Sequence, residues 1–181
     1  MKKIRKSKSA SIALFLGKFQ PFHKGHLQMI KNILKEYDFI KIAIGSSQKH
    51  HEKENPFTRK ERENMIRSTL KKESIDKRKY KIYFIPDIPN DDAYVDHAKK
   101  ITGKFDAIFT GNPLNLFLFR KAHHKVHRIK RLGNISATKI RNSLLNNTKT
   151  YKSLVPKSVY KILKDIDGKK RLLKIYGQGG I

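Results

Sequence analysis

Short apolar runs rich in β-branched and aromatic residues alternate along this chain with amphipathic stretches of helical spacing, a pattern that requires βαβ units and a parallel sheet. The strand candidates run Ser11 to Leu16, Phe39 to Ile44, Tyr80 to Ile85, Phe105 to Phe109 and Lys125 to Ile129. Between the first two, Leu27, Ile30, Ile33, Leu34 and Tyr37 recur on one helical face. Thr58-Arg59-Lys60-Glu61 reads as a capping box opening a helix towards Lys72. Further helices are expected from Asp92 to Ile101, after Pro113, from Ser136 as N-cap, and after Pro156, which starts the last one. The expected class is α/β, a doubly wound parallel five-stranded sheet with helices on both faces and C-terminal helices.

With 181 residues the chain fits one domain better than two. The expected division is a basic flexible tail over 1–10, a domain over 11–168 and a basic C-terminal tail over 169–181. Lys and Arg number 42 against 15 Asp and Glu, a formal charge of +27, while a hydrophobic share of 38% still supplies a core. Cysteine is absent, which excludes disulfide frameworks, thiolate nucleophiles and Cys-based zinc sites and is compatible with a reducing cytoplasm. The apolar run after the basic N-terminus lasts six residues, too short for a signal peptide, and none approaches the ~18 residues needed to cross a bilayer. A soluble, cytoplasmic protein is expected.

In open parallel sheets the ligand crevice lies beyond the carboxyl ends of the strands, where strand order reverses. The informative loops should therefore follow Leu16, Ile44, Ile85 and Phe109. The first reads Gly17-Lys18-Phe19-Gln20-Pro21-Phe22-His23-Lys24-Gly25-His26, which puts two histidines three apart in the first turn of the next helix. A helix N-terminus attracts anions, and imidazolium groups there would add charge and donors. Two histidines alone are too few for zinc, so no metal site is expected in the protein itself. Ser136 to Arg141 offers a second phosphate-suited turn, a capping hydroxyl followed by a guanidinium. Thr110-Gly111-Asn112 follows a buried strand, and a glycine there lets a flat ring approach the backbone. Each of these, taken alone, is also adequately read as an ordinary turn or cap.

Taken together the segments resemble the nucleotidyltransferase superfamily with the HxGH motif. GKFQPFHKGH is similar to its first signature and Ile135-Ser136-Ala137-Thr138-Lys139-Ile140-Arg141 to its second. With Gly45 to Gln48, Glu54 to Thr58 and Thr110 to Leu114, the pattern over about residues 11 to 165 resembles the archaeal-type nicotinamide mononucleotide adenylyltransferases, which have a Rossmann-like sheet. The resemblance implies catalytic roles for His23, His26, Lys18 and Arg141, and ATP contacts from Gly17, Phe19, Gly25, Thr110, Gly111, Asn112, Ser136 and Thr138. It implies acceptor contacts from Ser46, Gln48, Arg62, Asp92 and Tyr94, with Lys18 and Tyr94 standing where the family usually has Arg and Trp.

The implied reaction is adenylyl transfer from ATP to nicotinamide mononucleotide, giving NAD and pyrophosphate, with Mg2+ held mainly by the ATP phosphates. A homo-oligomer, hexameric in the archaeal family, is implied as well. Another acceptor remains open: nicotinate mononucleotide, FMN or phosphopantetheine, with adenylyl or cytidylyl transfer. A nucleic-acid-binding module is the alternative that the charge suggests, but no RNP, KH or C₂H₂ signature focuses it. Residues 107–164 hold thirteen Lys or Arg and no carboxylate, which assigns part of the charge to a triphosphate crevice.

Overall fold

The computed structural model describes residues 10–130 and 132–177. Residues 1–9 of the expected N-terminal tail lie outside them. The strands β1 (Ile12–Gly17), β2 (Phe39–Ile44), β3 (Tyr80–Phe84), β4 (Ala107–Thr110) and β5 (Val126–Arg128) form one all-parallel sheet. Their spatial order is β3-β2-β1-β4-β5. The chain steps outward from β1 to β3, then crosses back to β4 and β5, so the order reverses between β1 and β4. Leu16 is in register with Ala43 on one side and Thr110 on the other.

Alternate residues of β1 serve opposite faces, as a strand covered on both sides requires. Ala13 and Phe15 join a core with Leu27, Ile30 and Ile33 of α1 (Lys24–Glu36) and Met65, Ile66 and Leu70 of α2 (Arg59–Lys72). Ile140 and Leu144 of α5 (Ala137–Leu145) and Val159 and Leu163 of α7 (Lys157–Asp165) complete that face. Leu14 and Leu16 face the other core, against Val95 and Ala98 of α3 (Tyr94–Thr102) and Leu118 and Phe119 of α4 (Pro113–Lys121). Burying each such side chain contributes roughly 1.5–3 kcal/mol. Lys41 of β2 is buried and donates to the carbonyls of Thr102 and Lys104 at 2.6 and 2.7 Å, closing the C-terminus of α3.

Three expectations are corrected. Pro156 does not start the last helix, because α6 (Tyr151–Leu154) and α7 are followed by α8 (Gly168–Gly177). Residues 169–177 are therefore not a tail. Leu172 is fully buried, and Arg171 donates to Glu61 at 2.6 Å in a half-buried ion pair. Burial alone would raise the Glu61 carboxyl, but the bonds from Arg171 and Thr58 hold it below its usual range. Residues 178–181 lie outside the described residues. The third expected helix starts at Tyr94 rather than Asp92, with Ala93 at the N-cap and no side chain capping it.

Candidate active site

The carboxyl ends of β1 and β4 open into two cavities. The larger, about 830 Å³, is lined by Gly17, Lys18, Phe19, His23, Gly25 and His26 from the first loop and α1. Thr110, Gly111 and Asn112 line it from the end of β4, and Ser136, Thr138 and Arg141 from α5. All twelve residues for which the sequence implied catalytic or ATP-contacting roles thus meet in one space. The smaller cavity, about 250 Å³, is lined by Ser46, Asp87, Asp91 and Tyr94, and it shares Leu16, Gly17, Lys18 and Asn112 with the larger.

His23 is the N-cap of α1 and His26 its third residue, and each cap is reciprocal. His26 N–H donates to His23 Nδ1 at 3.3 Å and His23 N–H to His26 Nδ1 at 3.2 Å. The rings stack at 3.5 Å with 17° between planes. Phe19 packs edge-on against His26 at 4.9 Å, and Phe22 lies 5.5 Å away. This apolar setting changes the expected chemistry. Burial pushes the His23 imidazole down to about 4, and burial together with the neighbouring His23 pushes His26 well below its usual value. The free site therefore presents neutral imidazoles, not the imidazolium pair expected from sequence. A neutral ring whose Nδ1 accepts carries its proton on Nε2, so each ring keeps one donor there.

A stability prediction follows, with its sign fixed by the direction of the shift. Below its ordinary value of 6.5 the unfolded chain takes up a proton that folded His23 refuses down to about 4. Stability should therefore fall as pH drops from 6.5 towards 4. Urea midpoints across that window should fall less steeply for His23→Gln than for the parent chain; equal slopes would contradict the assignment.

The first loop is held in unusual backbone. Phe19 has a φ of 53°, in the left-handed region that side chains other than glycine rarely adopt, and its ring is buried under His26. Two residues earlier, a Cβ at Gly17 would stand 3.2 Å from that ring, a tight contact that glycine avoids. A Cβ at Gly25 would stand 3.1 Å from the His23 ring, so only glycine leaves the stacked pair undisturbed. At Gly111 no atom lies within 4 Å of a Cβ position, leaving space for a planar ring.

Ser136 caps α5 by accepting the Lys139 N–H at 3.2 Å, and Asn112 caps α4 by accepting that of Asn115 at 3.1 Å. Two helix N-termini and the α1 turn thus converge on one cavity, an arrangement suited to phosphates. Among its described lining residues Glu54 is the only carboxylate.

The acceptor residues expected from sequence divide. Ser46 and Tyr94 line the smaller cavity, and burial, with Asp87 adding to it, pushes the Tyr94 phenol up to about 12, so the ring is neutral. Three others do not face it. Gln48 bridges loops, its amide bonding the Asp87 N–H and carbonyl at 3.1 and 3.3 Å. Arg62 is fully buried, with its guanidinium donating to the carbonyls of Lys18, Gly45, Ser46 and Thr58 at 2.9 to 3.3 Å. Asp92 is exposed and paired with Lys121 at 2.8 Å, and its N–H donates to the Asn90 side chain at 2.9 Å. Asp87 and Asp91 line the cavity instead. Asp87 had a sequence signal, its position just past the third strand, while Glu54 stood in a quoted motif without a role.

Open sheets whose order reverses over such a crevice bind nucleotides. The chain belongs to the cytidylyltransferase-like family, whose model matches residues 14–143. More narrowly, it is 41% identical over 174 residues to the nicotinamide-nucleotide adenylyltransferase of Archaeoglobus fulgidus, covering 92% of this chain and 98% of the relative. To the protein of that name from Thermoplasma volcanium it is 36% identical over 167 residues, covering 90% of this chain and 91% of the relative. Among solved structures it shares its fold with a bifunctional NMN adenylyltransferase/ADP ribose pyrophosphatase from Francisella tularensis, at a TM-score of 0.74 and 23% identity. That match covers 94% of this chain and 54% of the other, so the chain spans about half of the bifunctional protein's length.

Proposed function

We propose that this protein transfers the adenylyl group of ATP to nicotinamide mononucleotide, giving NAD and pyrophosphate. The observation that carries the proposal is the shared wall of the two cavities. Gly17, Lys18 and Asn112 border both, so a nucleoside triphosphate in the larger and a mononucleotide in the smaller would bring their phosphates together at Lys18. Thr110 to Asn112 would receive adenine, and Ser136, Thr138 and Arg141 the β- and γ-phosphates. Ser46 and Tyr94 would meet the acceptor, with the Tyr94 ring available to stack on the pyridinium plane.

An oxygen of the mononucleotide phosphate attacks the α-phosphorus, a new P–O bond forms, and the bond to the bridging oxygen of the β-phosphate breaks. Pyrophosphate leaves with the electron pair. A phosphate monoester is already ionised near neutral pH, so no side chain need remove a proton. The protein's part is to align two anions and to stabilise transition-state charge, which His23, His26 and Lys18 do as preorganised donors and Arg141 as a fixed cation. Magnesium bound to the triphosphate would offset the repulsion between the two anions. The one carboxylate among the cavity's described lining residues stands 3.5 Å from Arg141, so the metal would be carried in on the nucleotide. A solved Francisella tularensis relative is described as complexed with AMP and Mn ion, consistent with divalent-metal use in this fold.

The proposal extends to a cytoplasmic location and to a homo-oligomer, a hexamer by resemblance. No described helix is long and apolar enough to cross a membrane, and Leu114 and Phe117 give α4 an exposed apolar patch for self-association. An acceptor panel tests the reaction. With ATP, nicotinamide mononucleotide should release pyrophosphate and yield NAD faster than nicotinate mononucleotide, FMN or phosphopantetheine does, and CTP should replace ATP poorly. Turnover of another pair with no NAD formed would overturn the reading.

A further inference from the structure

Arg141 is buried, yet its guanidinium is only partly committed. Nη1 donates to the Gln20 carbonyl at 3.1 Å. Gln20 is itself locked, its side-chain amide bonding the N–H and carbonyl of Phe57 at 2.9 and 3.0 Å. Nε is buried and has no partner among the described residues. Nη2 stands 3.5 Å from Glu54 Oε1, longer than a charge-assisted hydrogen bond. The two partners differ in freedom: the Arg141 side chain is 4% exposed and that of Glu54 72%. Glu54 is also the one carboxylate in a cavity that otherwise presents Lys18, Arg128, Lys130, two imidazoles and the first turn of α5.

We propose that Glu54 is a counter-ion displaced by substrate. Its carboxylate neutralises Arg141, and the triphosphate must evict it to reach Nη2. The inference rests on reading the larger cavity as a triphosphate site. Arg141 cannot leave, because its stem is packed in the core and Nη1 is tied to Gln20. Glu54 swings into water at little cost, since its contact is long and exposed. A polyanion gains the Nη2 donor in the exchange, whereas a ligand without β- and γ-phosphates has nothing with which to displace the carboxylate. Glu54 thus lowers the affinity for di- and triphosphates and leaves that for a monophosphate unchanged.

Calorimetric binding of ATP, pyrophosphate and AMP to the parent chain and to Glu54→Gln tests this. The variant should bind ATP and pyrophosphate about 3- to 10-fold more tightly, AMP with unchanged affinity, and the gain should shrink as salt rises. Glu54→Asp, which retracts the carboxylate, should move in the same direction. ATP binding that is unchanged or weaker in Glu54→Gln would overturn the inference, the weaker result marking Glu54 as a metal ligand or as a support for Arg141. Equal tightening of AMP would overturn it too. If the parent chain binds neither ATP nor pyrophosphate, the functional reading itself fails; if it binds both and the variant matches it, only the role of Glu54 does.

Discussion

Replacing His26 by alanine should lower turnover about 10²- to 10³-fold while ATP binding weakens only modestly. The size of the effect follows from where the ring sits. His26 is enclosed by Phe15, Phe19 and Phe22 and stacked on His23, so its one remaining donor acts in a low-dielectric setting. Charge that develops on the phosphates during transfer is stabilised there without solvent reorganisation, which is a transition-state effect and falls on kcat. The substitution also removes the acceptor that caps the His23 N–H, a loss of about 1 kcal/mol. A urea titration separates the two, because a cap loss lowers stability slightly and leaves the chemistry alone. Turnover within a few-fold of the parent would remove His26 from the mechanism.

Arg62→Met should disable the acceptor side without touching either substrate. The guanidinium holds the loops after β1 and β2 together by donating to Lys18, Gly45 and Ser46, and it also bonds Thr58 at the head of α2. Burial lowers its pKa to about 10, with Asp87 partly offsetting the shift, so it stays charged at neutral pH. Methionine fills much of the volume but leaves the Lys18 and Gly45 carbonyls without that donor, at a cost of about 2–4 kcal/mol. The loops that carry Lys18 and Ser46 then lose their spacing, so the acceptor KM should rise at least tenfold. Arg62→Lys should not rescue, since one ammonium cannot reach four carbonyls in a fixed fork. A variant with parental stability and acceptor KM would return Arg62 to an ordinary core position.

The pattern of what sequence revealed follows from the range of the interactions. β2 and α2 have the bounds expected of them, because a short β-branched and aromatic segment and a Thr-x-x-Glu box are local signals. The reciprocal His23–His26 cap and the Ser136 cap are local too, and the larger cavity is built on them. Gln48, Arg62 and Glu54 act across 16 to 87 residues of chain, through loop carbonyls and one guanidinium that no spacing rule marks. Asp87 and Asp91 line the smaller cavity where Asp92 was expected, because Asp92 pairs instead with Lys121, 29 residues on. The imidazolium expectation failed because Phe15, Phe19 and Phe22, although close in sequence, pack around His26, and residue spacing alone does not show that burial. The lysines of α8 give it the composition of a tail, although Leu172, Ile175 and Tyr176 recur at helical spacing.

The central claim is that one dinucleotide spans both cavities with its pyrophosphate at Lys18. A crystal structure of the protein with NAD tests it directly. The expected result is adenine against Thr110 to Asn112, the pyrophosphate between Lys18 and His26, and the nicotinamide ring against Tyr94. NAD bound elsewhere, or with its nicotinamide outside the cavity of Ser46, Asp87 and Tyr94, would contradict the account.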